Sequence, residues 1–423
     1  MGTKTWVLLN SERVVNEIMA KRAAITHERP HFPIAGTLVS RNKRQFLQKT
    51  QDWREGRKLI HGLIMGADSK AHGAVVEEVS LSLLKSYLDS PKTWYVHNYD
   101  YCIRIMHKLV FNQPANKSQA NLEELQRVTS TFLTSINTSF VEFFPILEKT
   151  PQFLQFWRAH WENMGLYHCQ VFKKWWAAVQ DMRDPEAEPS FMRDKVCNTF
   201  SGDEEKSMYL AMLSIVAGAD NPRMTMNTWV MACLAYPETM RRVREEIDAV
   251  CGGDLTSLRL PILDDMTSLP LTCATVKEVL RWRPPIPLVP QRVLTEDMEF
   301  EGHSFPAGTE FLINSISVCA NMSKDSDVFR PERWLETEGG LSPDLWQFAF
   351  SAGRRSCVGY KLAQKELFVA FSRLLYCFNF EAAGEIDDHQ LNPFRPGEPF
   401  PTKVVVRSAA HEKLIREQDM CTL

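Results

Sequence analysis

A chain of 423 residues that is 44% hydrophobic and carries a formal net charge of −3 has the material for a large apolar core and lacks the basic excess of a nucleic-acid binder. Its ten cysteines stand at neither CxxC nor zinc-like spacings, which argues against a disulfide framework or structural zinc and suits a reducing compartment. Glycine-rich phosphate loops (GxGxxG, GxxxxGK) are absent, so any electrons from NADPH must arrive through a partner, and no apolar run approaches the ~18 residues of a membrane span or reads as a signal peptide.

Helical periodicity dominates in chain order. Residues 11–23 (SERVVNEIMAKRA) open on Ser11 as an N-cap and carry apolar residues at helical spacing. Amphipathic patterns predict helices over 51–65, 74–89, 98–111, 119–147 and 164–182. The stretch 203–237 is too long and too apolar for a surface helix and should run through the core. Helices over 237–250 and 268–282 follow, and then the pattern shortens to alternating segments at 287–294, 298–305 and 308–318. A long apolar helix over 359–378 and two strands, FNFEAA and TKVVVRS, complete the chain. The fold class is α+β, mostly α-helical, and no linker or composition break divides residues 1–423, which read as a single domain.

The most specific chemistry lies in FSAGRRSCVG, residues 350–359. Cys357 sits where an irregular loop becomes a helix. The helix dipole, unpaired backbone N–H groups, and Arg354 and Arg355 should all favour its thiolate. Gly353 and Gly359 remove side chains where a flat group could approach the backbone. A lone cysteine would read as a small buried hydrophobe. The spacing Phe-x-x-Gly-x-Arg-x-Cys-x-Gly arises by chance in a chain this long at roughly one in ten thousand, so it carries more weight.

This loop resembles the haem-binding loop of the cytochrome P450 family, and the resemblance covers about residues 5 to 408. It implies that Cys357 is the axial ligand of the iron in haem b (iron protoporphyrin IX). It also implies that Phe350 packs beside the sulfur, that Arg355 pairs with a haem propionate, and that Gly353 and Gly359 let the porphyrin come close. Trp53 and Arg57, four apart in WREGRK, match the family's propionate-anchoring helix, although any amphipathic surface helix would show that spacing. Arg292 falls where the family places another propionate partner. Glu278 and Arg281 in KEVLRWR share one helix face, as an ordinary surface pair would. Together with Arg333 of FRPERW they match the family's structural triad, with Trp334 in place of the usual phenylalanine.

The long helix departs from the family pattern. AGADNPRMT matches at Ala217, Gly218, Ala219 and Asp220, but Asn221 and Pro222 replace both threonines. Gly218 and Pro222 favour a local break in the helix, suited to an oxygen-binding groove or simply to a kinked core helix. Asp220 and Asn221 are the catalytic candidates for managing water and protons, yet an amide cannot deliver a proton as a hydroxyl does.

The resemblance further implies an NADPH-dependent cytochrome reductase as electron donor, meeting the basic residues Arg54, Lys58, Arg354 and Lys361, with O2 as co-substrate. It implies residence on the cytosolic face of the endoplasmic reticulum membrane, and it places the family's anchor and first sheet strand ahead of these residues, so that residues 5–9 should form an unpaired edge. Pocket-lining candidates are Phe32, Ile34, Ala217, Ala219, Ile286, Leu288, Val289 and Phe394, whose character implies a largely apolar substrate. Three readings follow. The chain is a fungal microsomal-type monooxygenase acting on a small aromatic or polyketide-derived metabolite; or a haem-thiolate enzyme of phenol coupling, dehydration or rearrangement; or a non-catalytic haem-binding remnant.

Overall fold

The computed structural model describes residues 2–66, 71–113, 115, 119–180, 190–252, 258–322, 325–335, 348–388 and 399–418. Its axis is the helix Glu204–Ala235, 32 residues long, opened by Asp203, whose side chain accepts from the Lys206 amide at 2.7 Å. This helix is buried around nearly its whole circumference, as its all-round apolar sequence requires. It runs without the break expected at Gly218 and Pro222. Pro222 cannot donate to the preceding turn, but the Asn221 amide donates to the Ala217 carbonyl at 3.2 Å and the Thr225 hydroxyl to the Asn221 carbonyl at 3.0 Å. Those bonds and dense packing hold the turn closed.

Helices Trp94–Phe111 and Tyr360–Cys377 pack on this axis, and His72–Asp89 packs on both of them. A buried polar chain joins them: Tyr87 donates to Asn98 at 2.7 Å, and Asn98 to Asn227 of the central helix at 2.9 Å. The Trp229 ring stacks on Phe371 with centroids 4.7 Å apart. The helix predicted over 119–147 ends at Leu133 instead. There Thr134, Ser135 and Thr138 turn their hydroxyls onto nearby carbonyls, and Asn137 adopts a φ of 58°. Such side chains compete with helical bonding, which periodicity alone does not register.

The sheets are small. Trp6–Leu9 pairs in parallel with Glu310–Ile313, which pairs on its other side with Arg292–Val293; Trp6–Leu9 is the edge strand among the described residues. A hairpin joins Met298–Phe300 to His303–Phe305, and Phe378–Ala382 pairs with Thr402–Val406. The chain is mostly helical, with the sheets at its margins.

One ion cluster fixes the approach to the cysteine loop. Glu278, fully buried on helix Pro270–Trp282, takes Arg281 Nη2, Arg333 Nε and the Arg330 amide on one oxygen, at 2.8, 3.0 and 2.9 Å. Its other oxygen takes Arg281 Nε at 2.9 Å and Trp334 Nε1 at 2.8 Å. The substitution of tryptophan for phenylalanine thus adds a donor to the carboxylate. Arg281 also ties the Ser326 and Val328 carbonyls, so the helix end and the Asp325–Leu335 segment form one unit. Removing one partner of a buried pair costs about 3–5 kcal/mol. Glu278→Ala should therefore lower the unfolding free energy, read from urea titration of the helical circular-dichroism signal, by that amount; a loss under about 1 kcal/mol would reduce the cluster to a surface pair.

Candidate active site

Cys357 is held by the loop's own backbone. Its amide donates to the Phe350 carbonyl at 2.8 Å, Ser356 closes onto Gly353 at 3.0 Å, and the Gly359 amide donates to Sγ at 3.3 Å. The following helix begins at Tyr360 with Gly359 as its cap. Gly353 adopts a φ of 64°, and a Cβ there would lie 1.9 Å from the Met19 carbonyl oxygen, so no other residue fits. A Cβ on Gly359 would meet only Sγ, at 3.6 Å. This open space beside the sulfur is what a flat prosthetic group bound there requires.

The thiol departs from the expectation of ready ionisation. Burial pushes its pKa up, and the Gly359 N–H and the Arg57 charge only partly offset that. Arg354 is exposed, and Arg355 turns to other partners. Cys357 is nonetheless accessible to solvent, so its thiol is surrounded by protein while facing an open internal space. An iron at that sulfur would displace the proton, which is how burial and thiolate ligation coexist.

Four arginines gather around the loop. Arg57 Nη2 donates to the Ser356 carbonyl at 2.5 Å; Arg292 donates to the Ala352 carbonyl at 2.7 Å and to Ser351 Oγ at 2.6 Å. Arg355 donates to the His27 and Gln48 carbonyls, both at 3.0 Å, and lies 4.1 Å from the Trp53 ring centroid, with Arg57 5.6 Å from the same ring. Arg29, overlooked in the sequence, donates to the Phe46 and Gln291 carbonyls at 2.9 and 2.7 Å. The pKa values of Arg292 and Arg355 are both lowered to about 10, by burial first; at Arg355 Glu28 partly offsets this, and neighbouring guanidinium charge lowers both further. The carboxylate that reaches this group is Glu28, 3.8 Å from Arg355. Arg292 Nε and Arg355 Nη1 are buried without a partner. Excess buried positive charge with orphaned donors calls for anions, and the two propionates of a haem fit that requirement.

The other candidates divide. Ala217 is exposed and Gly218 and Asn221 half-buried, on a helix whose flanking turns are buried, whereas Ala219 is buried. Asp220 does not bond Asn221. It accepts both Nε and Nη2 of Arg223, at 3.0 and 2.7 Å, within a buried pair that the i,i+3 spacing could have announced. Phe32 and Ile34 are buried in one apolar cluster with Phe132, Val141 and Trp157. Ile286 and Val289 are half-buried and Leu288 is exposed. Phe394 lies outside the described residues. Arg54, Lys58, Arg354 and Lys361 are all exposed.

Gly353→Ala should destabilise the chain by more than the ~1–2 kcal/mol of a left-handed backbone, because the clash with Met19 adds to it. Gly359→Ala should keep the parent's haem-free thermal midpoint yet retain less haem, its methyl group standing beside the sulfur. Equal haem retention in Gly359→Ala and parent protein would contradict the assigned space.

The family model for Cytochrome P450 matches residues 1–398. The cytochrome P450 monooxygenase virE of Hypocrea virens is 27% identical over 99% of this chain and 80% of its own length. The cytochrome P450 monooxygenase aneD of Aspergillus aculeatus is 28% identical over 98% of this chain and 82% of its own. Among solved structures, a zebra fish cytochrome P450 with progesterone superimposes with a TM-score of 0.76 at 22% identity, covering 96% of this chain and 95% of that one.

Proposed function

Because the chain belongs to the cytochrome P450 family of haem-binding monooxygenases, we propose that it inserts one atom of O2 into a largely apolar small molecule, of aromatic or polyketide-derived type, with Cys357 as the residue that would hold the haem iron through its sulfur. The observation that carries this reading is the loop itself: a cysteine facing open internal space, ringed by arginines whose charge Glu28 alone does not balance. Fungal relatives named as monooxygenases support the reaction class.

Bound there, the haem would combine O2 with two electrons and two protons, sending one oxygen atom into the substrate and the other into water. The protein's part is to hold, tune and protonate. Cys357 supplies the sulfur, and the Gly359 N–H draws charge from it. Arg57, Arg292 and Arg355 would hold the propionates, with the Trp53 ring against Arg355 and Arg57. Ala217 is the exposed residue midway along the central helix, where O2 and substrate would meet the haem, whereas Gly218 is packed against Met106; Asn221 can hold a water by its amide. Asp220 is the proton carrier, and its pairing with Arg223 means that it must loosen that bond before it passes a proton on. Electrons come from an NADPH-dependent flavoprotein reductase that meets the exposed basic residues Arg54, Lys58, Arg354 and Lys361. Location on the cytosolic face of the endoplasmic reticulum follows from the same resemblance; no helix of the described residues is long and apolar enough to cross a membrane.

A second reading keeps the haem and drops oxygen insertion, giving phenol coupling, dehydration or rearrangement. The Asp220–Arg223 pair and the missing hydroxyl at Asn221 favour it. Turnover under ¹⁸O2 with reductase and NADPH separates the two. Insertion predicts product carrying one ¹⁸O, and predicts that Asp220→Asn lowers product formation by about 10²–10³-fold with haem content unchanged. Product without ¹⁸O, formed equally well by Asp220→Asn, would assign the chain to the second reading.

A further inference from the structure

Another buried arginine lies away from the cysteine loop. Arg44 is 2% exposed. Its guanidinium carbon lies 3.8 Å from the Phe132 ring centroid and 5.4 Å from that of Phe172. Aromatic contacts engage the faces of a guanidinium and leave the N–H groups in its plane free to bond. On one edge of Arg44, Nε and Nη2 are both buried and without a hydrogen-bond partner.

Its surroundings hold further orphaned polar groups. Tyr209 Oη and His168 Nδ1 are buried without partners. Thr131 donates to the Arg127 carbonyl at 2.7 Å and lies 2.8 Å from His168 Nε2. The Thr131 proton is thus committed, so Nε2 carries the imidazole proton and Nδ1 is an acceptor. None of these groups is an anion at neutral pH. Burial holds Tyr209 up at about 12, and burial with the Arg44 charge holds His168 down at about 3, while Arg44 stays charged at about 10. No acidic side chain among the described residues forms an ion pair with Arg44.

The same chain shows what this edge does when it has a counterion. Arg281 turns Nε and Nη2 together onto the Glu278 carboxylate at 2.9 and 2.8 Å. That parallel pair is the bidentate match for a carboxylate. The edge is closed to solvent in this structure, so a ligand reaches it only when the side chains around it move aside. Arg44 lies between Phe32 and Ile34 on one side in sequence and the Trp53–Arg57 helix on the other, and its ring partner Phe132 belongs to the apolar cluster of Phe32 and Ile34. Tyr209 precedes Ala217, an exposed residue midway along the central helix, by eight residues, which is about 12 Å of helical rise.

We propose that Arg44 anchors the substrate, its Nε and Nη2 gripping a carboxylate, so that the natural substrate is an apolar acid whose charged end sits about 12 Å along the helix from Ala217. The inference rests on the monooxygenase reading and narrows its substrate class. Tyr209 offers a third donor to the same group, and the Phe132 and Phe172 rings hold the fork in position.

The test compares benzoate, naphthalene-2-carboxylate and biphenyl-4-carboxylate with their neutral amides on haem-loaded protein at neutral pH. Binding is read from ligand-induced Soret shifts and, independently, from thermal midpoints. At least one acid should bind about tenfold more tightly than its amide, the scale of a charge-assisted bidentate contact. Arg44→Gln should bring that ratio to about one while leaving the reduced carbon monoxide band intact, and Arg44→Lys should keep part of it. Amides binding as well as acids throughout the parent series would overturn the proposal, even if Arg44→Gln failed to fold. So would an acid preference that survives Arg44→Gln, which would leave Arg44 satisfied by water alone. Absence of the thiolate carbon monoxide band in the parent protein would instead refute the haem-thiolate reading.

Discussion

Burying a guanidinium costs several kcal/mol unless anions or carbonyls meet it, and this chain buries its arginines in distinct ways. Arg281 meets the carboxylate of Glu278 and makes a rigid structural joint. Arg223 does the same with Asp220 inside the central helix. Around the cysteine loop Arg29, Arg57, Arg292 and Arg355 lean mainly on backbone carbonyls, and their charge exceeds that of Glu28. Arg44 has neither carboxylate nor carbonyl on its Nε–Nη2 edge. Where carboxylates or carbonyls meet every buried donor, as at Arg281 and at Arg373 on the Pro261 and Glu77 carbonyls, the arginine builds the fold; where buried donors are left unmatched, the arginine points to something the chain binds.

That distinction explains how structure and chemistry divide the molecule. The Glu278 cluster secures the helix Pro270–Trp282 to the Asp325–Leu335 segment, and Trp282 adds a bond to the Asp327 carbonyl at 3.1 Å. The Cys357 loop is in turn pinned from outside by Arg57 and Arg292 through the Ser356 and Ala352 carbonyls. The residues that would hold a haem's carboxylates therefore also hold the loop that presents the sulfur.

Local spacing made part of this legible. The cysteine loop carries its glycines at fixed offsets, whereas Glu278 and Arg281, three apart, read by spacing as an ordinary surface pair, and only the family resemblance brought them forward with Arg333. The long central helix was legible from apolar length. Its continuity through Pro222 was not, because a side-chain amide and tight packing offset the lost backbone bond. The thiol's raised pKa escaped sequence reasoning because desolvation depends on everything packed around the sulfur and not on neighbours in the chain. Arg29 and Arg44 carry no motif. Their meaning comes from residues more than 80 positions away, Gln291 for one and Phe132 and Phe172 for the other. Hydroxyl-bearing residues after Leu133 ended a helix that apolar periodicity carried on to 147.

The claim on which everything else rests is that Cys357 ligates iron as a thiolate. It is tested most directly by the reduced carbon monoxide difference spectrum of the parent protein beside those of Cys357→Ala and Cys357→His. Thiolate ligation predicts the long-wavelength band of haem-thiolate proteins in the parent and its disappearance in both variants, with the histidine form retaining haem at the ordinary position. The same long-wavelength band persisting in Cys357→Ala would contradict it.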